Sequence, residues 1–345
     1  MGSARPSSPG PLPMTSPDPA QRPGEFELIA KLFAPLARDA QGAFGLTDDV
    51  AVLGPRPGMD VVLKCDSLIE SVHFLRDDAA ATISRKALRR ALSDLAAKGA
   101  RPCAYLLALA LPRWPDMAWL DAFAGGLAAD QAEFGISLIG GETDATPGPI
   151  TITVTAIGHV SRGALIRRNG ARPGDLVFVT GTIGDAGAGL ALLKDGACAP
   201  SEEARNFLLA RYRVPIPRLA FGRGLCGLAT AAIDISDGLV ADLGHIAETS
   251  GVRIEIVAGR VPLSAALREF GGEAPRTVLM AAGAGDDYEI AFTAPASEME
   301  AILDLARRTI TPVAVIGSVL PGSGVAMLDG TGQEIPIGRK GYMHF

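Results

Sequence analysis

The sequence predicts an α/β protein of two domains, an α+β N-terminal domain followed by an α/β C-terminal one. Three observations predict it. The chain has 345 residues, more than one ordinary domain and enough for two. Runs rich in Val, Ile and Thr alternate with Ala/Leu-rich stretches that keep helical spacing. Acidic residues fall repeatedly where an apolar run ends, and the ends of strands are the usual address of sites in α/β proteins. The stretch from Gly158 to Gly174, with Arg162, Arg167, Arg168 and Arg172, reads as the boundary. It leaves a leader over 1–24, an N-terminal domain over 25–160 and a C-terminal domain over 161–345.

The elements follow in order. Glu25 to Leu36 is predicted as a helix, with Phe26, Ile29, Ala30 and Phe33 on one face. Gly45 to Leu53 carries Asp48 and Asp49 into a β-type run, and Val61 to Asp66 is a strand that again ends in a carboxylate. Thr82 to Ala97 is a helix stopped by Gly99, with the polar pair Ser93-Asp94 inside an Ala/Leu-rich run. Trp119 to Phe134 is a further helix, and Ile136 to Ile139 a strand that leads into Gly140-Gly141-Glu142-Thr143-Asp144. Ile150 to Ile157 alternates Ile and Thr, the mark of a half-buried strand suited to antiparallel pairing.

In the second domain Leu176 to Val179 is a strand, followed by a glycine-rich loop at 181–189 and a helix through Leu193. That loop lacks the Gly-Lys-Ser/Thr ending of a P-loop and does not spell G-x-G-x-x-G, so close helix–strand packing is its leading account. Ala231 to Ile235 is a short strand, and Leu239, Leu243, Ile246 and Ala247 form a helical stripe up to Gly251. Between them stands Asp234-Ile235-Ser236-Asp237-Gly238. Alternation puts Asp234 and Ser236 on one face, and Asp237 falls where a carboxylate can cap a helix. The plain reading is a cap and one solvated Asp; the functional reading is a site at a strand end. Val252 to Val257 and Ile290 to Thr293 are strands, the second preceded by Gly283-Ala284-Gly285-Asp286-Asp287-Tyr288-Glu289.

A net charge of −6 argues against nucleic acid or an anionic membrane as the main partner. No run reaches membrane-spanning length, and the Pro/Ser/Gly-rich leader has no apolar signal core and reads as disordered. Cys65, Cys103, Cys198 and Cys226 are widely spaced without a C-x-x-C pair. A disulfide framework or zinc site is therefore not expected, and a reducing cytoplasm fits. Asp48, Asp49, Asp66, Asp94, Glu142, Asp234, Asp237, Asp286 and Asp287 sit at element ends or in odd helical positions. Among His73, His159, His245 and His344, none lies in a nucleophile motif with Ser or Cys. Hard oxygen donors without thiolate or imidazole clusters point to magnesium. Several magnesium ions imply a polyphosphate substrate, held through the metals and an arginine such as Arg168.

A series of blocks stands in one order along the chain. They are Gly24-Glu25-Phe26, Asp48-Asp49, Asp66-Ser67-Leu68 with His73-Phe74, and Lys86-Ala87-Leu88 with Leu92-Ser93-Asp94-Leu95-Ala96. Gly140-Gly141, Arg168 with Gly170-Ala171, Pro173-Gly174-Asp175, and Thr180-Gly181-Thr182 with Gly184-Asp185 follow. Ile233 to Leu239, Asp287-Tyr288-Glu289, and Lys340-Gly341-Tyr342 with His344-Phe345 complete the series. In these blocks the chain, from about Gly24 to Phe345, resembles the bacterial thiamine-monophosphate kinases of the aminoimidazole-ribonucleotide-synthetase-like superfamily.

The resemblance implies that superfamily's two-domain fold, with N-terminal sheets paired in a homodimer, and transfer of the ATP γ-phosphoryl group to thiamine monophosphate. It implies magnesium ligation at Asp49, Asp66, Asp94, Asp234 and Asp237, with Asp94, Asp66 and Asp237 central to catalysis. Lys64, Cys65 and Glu142 occupy metal-contacting positions; Gly141, Glu142, Arg168 and Ser236 match nucleotide contacts. His73, Asp286 and Tyr342 match contacts to the thiamine substrate. The family usually has small hydroxyl residues at 64 and 65, Asp or Asn at 142 and Asn at 91, where this chain has Lys64, Cys65, Glu142 and Ala91. Two rival readings follow: an ATP-using superfamily member with another acceptor, or a non-catalytic magnesium–nucleotide-binding paralogue. A selenophosphate synthase would want a reactive Cys near a Lys in its N-terminal segment, and the leader has no Cys.

Overall fold

A computed structural model describes residues 24–112, 116–194, 201–272, 275–338 and 341–342. The leader expected over 1–24 lies outside these residues except for Gly24, as do Cys198, Lys340 and Met343 to Phe345. The N-terminal helix is shorter than expected. Regular helix α1 covers Glu25–Leu28, a π turn Ile29–Phe33 and a 3-10 turn Ala34–Ala37. Pro35 has no N–H to continue an α ladder, so the chain tightens there. The change of pitch turns Leu32, Phe33 and Leu36 inward and leaves Phe26 83% exposed. The β run expected over 45–53 is absent. Phe44 and Gly45 have positive φ, and Val50, Val52 and Leu53 stay exposed with no strand beside them among the described residues.

A four-stranded sheet follows. It comprises β1 (Met59–Ile69), β2 (Arg101–Pro112), β3 (Ser137–Thr146) and β4 (Thr151–Ser161), in the order β1-β4-β2-β3. Helices α2 (Ala80–Ala97) and α3 (Met117–Phe134) cover one face. Leu88, Leu92 and Phe123 pack there against Tyr105, Leu107, Ile152 and Val154. Arg89 ties the two helices by donating to both oxygens of buried Asp130, each at 2.8 Å. The Ile/Thr alternation sends Ile152 and Val154 into this core and Thr153 and Thr155 to the other face. β4 is an inner strand, antiparallel to both β1 and β2 as its alternation suggests, and the sheet edges are β1 and β3. Val61, Leu63, Cys65 and Leu106 lie exposed. The strand expected over Ile136 to Ile139 runs on through 140–144 as β3, where Gly140 and Gly141 pair with Leu106 and Leu107.

The second sheet has six strands in the order β10-β7-β9-β5-β8-β6. They are β5 (Leu176–Thr180), β6 (Ala231–Asp234), β7 (Arg253–Val257), β8 (Ile290–Ala294), β9 (Val313–Leu320) and β10 (Gly324–Leu328). Its helices are α4 (Asp185–Lys194), α5 (Glu202–Arg213), α6 (Leu219–Gly224), α7 (Leu239–Ser250), α8 (Ala265–Gly271), α9 (Pro275–Ala282) and α10 (Met299–Arg308). Val177, Val179 and Ile233 face one apolar core, and Phe178, Ala232 and Phe292 face another. Ala96 and Ala97 from the end of α2 join that second core. Gly222 of α6 lies so close to the Ala96 carbonyl that no Cβ would fit, which lets α6 pass directly against α2. Helix α2 thus belongs to both halves of the molecule. No helix among the described residues is long and apolar enough to cross a membrane.

Candidate active site

One face of α2 carries Lys86, Arg90 and Asp94 at intervals of four, so they form a polar stripe on an otherwise buried helix. Opposite it, strand alternation turns Lys64 and Asp66 of β1 the same way. From the second sheet come Asp234 at the end of β6, Ser236 and Asp237 in the following turn, and Gly283 to Asp286. With Arg90 and Asp94 they line a cavity of about 1030 Å³, which also takes in His73, Arg168, Arg276, Tyr288 and Tyr342, while Lys86 lies buried behind its wall.

Ion pairs organise the walls. Lys64 Nζ lies 2.8 Å from Asp94 Oδ2, and Arg90 Nε 3.1 Å from Asp66 Oδ2. The fully buried Lys86 donates to Asp286 Oδ2 at 2.9 Å and stands over the Tyr212 ring at 3.8 Å. Tyr288 donates its hydroxyl to Asp286 Oδ1 at 2.9 Å. Lys98, just past α2, donates to the Ala232 carbonyl at 2.6 Å. His73 Nδ1 accepts the Ile69 N–H at 3.0 Å, so a neutral ring carries its proton on Nε2.

The turn after β6 corrects one expectation. Asp237 does not cap α7. The Asp242 carboxylate, one turn into the helix, accepts the N–H groups of Ser236, Asp237 and Gly238 at 3.0, 3.0 and 3.1 Å. Gly238, at φ 136°, supplies the conformation that folds the turn back over that carboxylate. Asp237 is thereby left to line the cavity.

The carboxylates outweigh the charges set against them. Burial pushes Asp234 up to about 8, and Asp94 and Asp242 add to the effect. Burial also raises Asp94, partly offset by Lys64 and reinforced by Asp66. Burial works against a charged Lys64, but Asp94, Asp66 and Asp234 outweigh it and hold its pKa above the usual value. Burial takes Lys98 down to about 8 despite Asp234. Asp66, Asp94, Asp234 and Asp237 all line the cavity, and carboxylate oxygens are the ligands that hard cations take; of these, Asp237 lies with Asp242 and His245 in a group close enough to share one ion. The Lys64 side chain, expected at a metal-contacting position, stands in the cavity as an ammonium paired with Asp94. Its protonated amine has no lone pair to offer and enters the cluster as a counter-charge.

Behind the cavity wall the segment 286–288 alternates its side chains. Asp286 and Tyr288 have φ of 69° and 52°, unusual for residues with a Cβ. Asp287 points away from the cavity and accepts the N–H groups of Gly184 and Ala186, at 2.6 and 3.3 Å, so a buried carboxylate holds the start of α4. Glu289, fully buried, accepts from Thr180 Oγ1, Arg211 and Arg218 at 2.6–2.8 Å. The glycine-rich loop is thus fastened from beneath, and Gly181, at φ 59°, leaves no room for a Cβ beside the Glu289 carboxylate.

The cavity brings together Lys64, Asp66, His73, Asp94, Arg168, Asp234, Ser236, Asp237, Asp286 and Tyr342 from the sequence reading. Four others lie apart from it. Asp49 is exposed in the irregular segment before β1. Cys65 is exposed on the face of β1 opposite its neighbours. Gly141 and Glu142 are exposed on edge strand β3. Lys86, Arg90, Lys98, Asp242 and Tyr288 were not anticipated as parts of the site. For Lys86 and Arg90 the signal was available, since both stand at i−8 and i−4 from Asp94.

Two family models match the chain: the AIR synthase related protein N-terminal domain over residues 47–160 and the C-terminal domain over 172–329. A two-domain protein of the AIR synthase related class is therefore defined. A relative from Caulobacter vibrioides, named thiamine-monophosphate kinase, is 41% identical over 328 residues, 94% of this chain and 92% of the relative. The crystal structure of thiamine-monophosphate kinase from Stenotrophomonas maltophilia superposes with a TM-score of 0.80 at 39% identity, covering 87% of this chain and 95% of that one. AaThiL complexed with AMPPCP and TMP gives a TM-score of 0.73 at 31% identity, with 93% and 97% covered. The chain belongs to the thiamine-monophosphate kinase family of enzymes.

Proposed function

We propose that this chain transfers the γ-phosphoryl group of ATP directly to thiamine monophosphate, giving thiamine diphosphate and ADP. The observation that carries the proposal is the convergence of Asp66, Asp94, Asp234 and Asp237 with Arg168 in one cavity between the two sheets. The names of the relatives and the AMPPCP and TMP bound to AaThiL support the two substrates.

The chemistry asks little of a general base. A phosphate monoester has its second pKa near ~6, so the acceptor oxygen is mostly deprotonated at neutral pH. What has to be overcome is repulsion between two polyanions and the cost of aligning them. Asp66, Asp94, Asp234 and Asp237 are the residues that would hold magnesium, which supplies charge neutralisation and a template for attack and departure. Arg168 binds phosphate oxygens, and Ser236 contributes to the same nucleotide side of the cavity. His73, presenting N–H at Nε2, together with Asp286 and Tyr342, binds the thiamine side. Lys86 and Tyr288 hold Asp286 in place for that contact. Asp49, Cys65, Gly141 and Glu142 are assigned to metal or nucleotide contact through family resemblance alone.

We also propose that the protein is a homodimer joined through the first sheet. The exposed Val61, Leu63 and Leu106 and the two open edges, β1 and β3, supply apolar area and unpaired backbone for a second copy to cover. Purified protein supplied with ATP, Mg²⁺ and thiamine monophosphate is expected to form ADP and thiamine diphosphate in equal amounts. Replacing the acceptor with unphosphorylated thiamine is expected to abolish both. ADP formation without thiamine diphosphate, or efficient use of thiamine, would overturn the proposal.

A further inference from the structure

Strand β1 directs a lysine into the acidic cluster. Lys64 is fixed at its Cα by pairing with Ala156 on the inner strand β4, and its ammonium reaches Asp94 at 2.8 Å. Neither partner is a loose surface group, since the side chains are 32% and 19% exposed. Asp66, two residues along, is already engaged by Arg90 at 3.1 Å. Of the five carboxylates that line the cavity, Asp66, Asp94 and Asp286 are thus each paired with a cation of this chain, Arg90, Lys64 and Lys86 in turn, whereas Asp234 and Asp237 make no direct contact with Lys64 or Arg90.

We infer that Lys64 is a tethered cation that takes the place of one divalent ion in this cluster, so the protein binds one fewer metal than its carboxylates alone would hold. The inference deepens the magnesium-dependent reading of the cavity and rests on it. An ammonium and a divalent ion compete for the same carboxylate oxygens, and one at 2.8 Å from Asp94 already claims a ligand lone pair. The tethered charge needs no recruitment from solution, whereas a bound metal does. The ammonium brings one positive charge and three directed N–H donors. It can therefore neutralise Asp94 and donate to a phosphate oxygen, but it cannot bridge several carboxylates as a divalent ion does.

The test counts metal ions directly. Mn²⁺ is titrated into the full-length protein, with and without ADP, and free Mn²⁺ is read by electron paramagnetic resonance for wild type, Lys64→Ser and Lys64→Arg. Thermal melts establish that each variant is folded, and Lys64→Thr repeats the measurement should the serine variant lose its cooperative melt. Lys64→Ser is expected to bind one more Mn²⁺ per chain than wild type, while Lys64→Arg, which keeps the charge, matches wild type. Equal counts and affinities in wild type and Lys64→Ser would overturn the inference while leaving the metal reading intact. A gain in Lys64→Arg would also overturn it, because space and not charge would then set the count. No Mn²⁺ bound by any form would overturn the metal reading and this inference together.

Discussion

Replacing Asp94 with Asn separates catalysis from folding, because the two respond to its charge in opposite ways. The substitution keeps shape and removes one negative charge from the centre of the cluster. In the folded protein, burial raises the Asp94 pKa, offset in part by Lys64. A carboxylate whose folded pKa lies above its unfolded value is a cost to stability at pH above that unfolded value, about 3.9, and Asn removes the cost. The Lys64 contact at 2.8 Å is already counted in that balance. That pair is partly exposed to solvent, and pairs of this kind contribute about 0–1 kcal/mol. The net effect on folding is therefore neutral to slightly favourable, and the melting temperature is expected to stay within about 4 °C of wild type or to rise. Turnover behaves differently. Losing one preorganised electrostatic group costs about 3–4 kcal/mol of transition-state stabilisation, a fall in kcat of about 10²–10³-fold. ADP release at saturating Mg²⁺, ATP and thiamine monophosphate, with a thermal melt beside it, reads both. Turnover within about tenfold of wild type, or a melt that collapses, would refute the reasoning.

Four further outcomes are expected. Glu289→Gln should cost about 3–5 kcal/mol in urea unfolding, since it leaves Arg211 and Arg218 around a neutral buried amide. The Glu289 pKa is lowered because Arg218 and Arg211 outweigh its burial, so its contribution is present above about pH 4.3 and is lost as pH falls below that; an unchanged urea midpoint at pH 7 would contradict the first claim. His73→Asn should raise KM for thiamine monophosphate by about tenfold, the worth of one hydrogen bond, with a smaller change in kcat, and a kcat loss of about a thousandfold would instead mark His73 as a base. Leu63→Asp, on the exposed face of β1, should convert a dimer into a monomer in sedimentation, and a wild-type monomer at micromolar concentration would refute the interface. In EDTA the melting temperature should fall between pH 6 and 8, because Asp234, pushed up to about 8 chiefly by burial, must lose its proton in the folded state, whereas the unfolded group has already lost it; added Mg²⁺ should flatten that slope, and a slope unaffected by Mg²⁺ would count against metal binding at Asp234.

The parts of the molecule legible in the sequence are those where one period dominates. Helix α2, strand β4 and the β6–α7 junction follow their apolar spacing closely, and alternation along β1 already separates Lys64 and Asp66 from Cys65. Strand β2 was missed because its Ala/Leu run has no period that distinguishes a strand buried in a sheet from a helix. The segment 45–53 is apolar enough for a strand, but no strand among the described residues takes up its hydrogen bonds. The sequence points to Asp237 as the cap of α7; the backbone turn at Gly238, with its positive φ, gives that role to Asp242, a residue one turn into the helix. The site was less legible than the fold. The Lys86–Asp286 pair joins residues 200 apart, a contact made by the packing of α2 against the second sheet and not by any local pattern.

The claim of direct transfer is open to a single-turnover measurement with enzyme in excess over γ-³²P-labelled ATP, in the presence of Mg²⁺ and thiamine monophosphate. Label is expected to pass into thiamine diphosphate at the same rate as ADP appears, with none held on the protein at any time. A labelled protein that forms and then decays, or label released only as inorganic phosphate, would contradict the account.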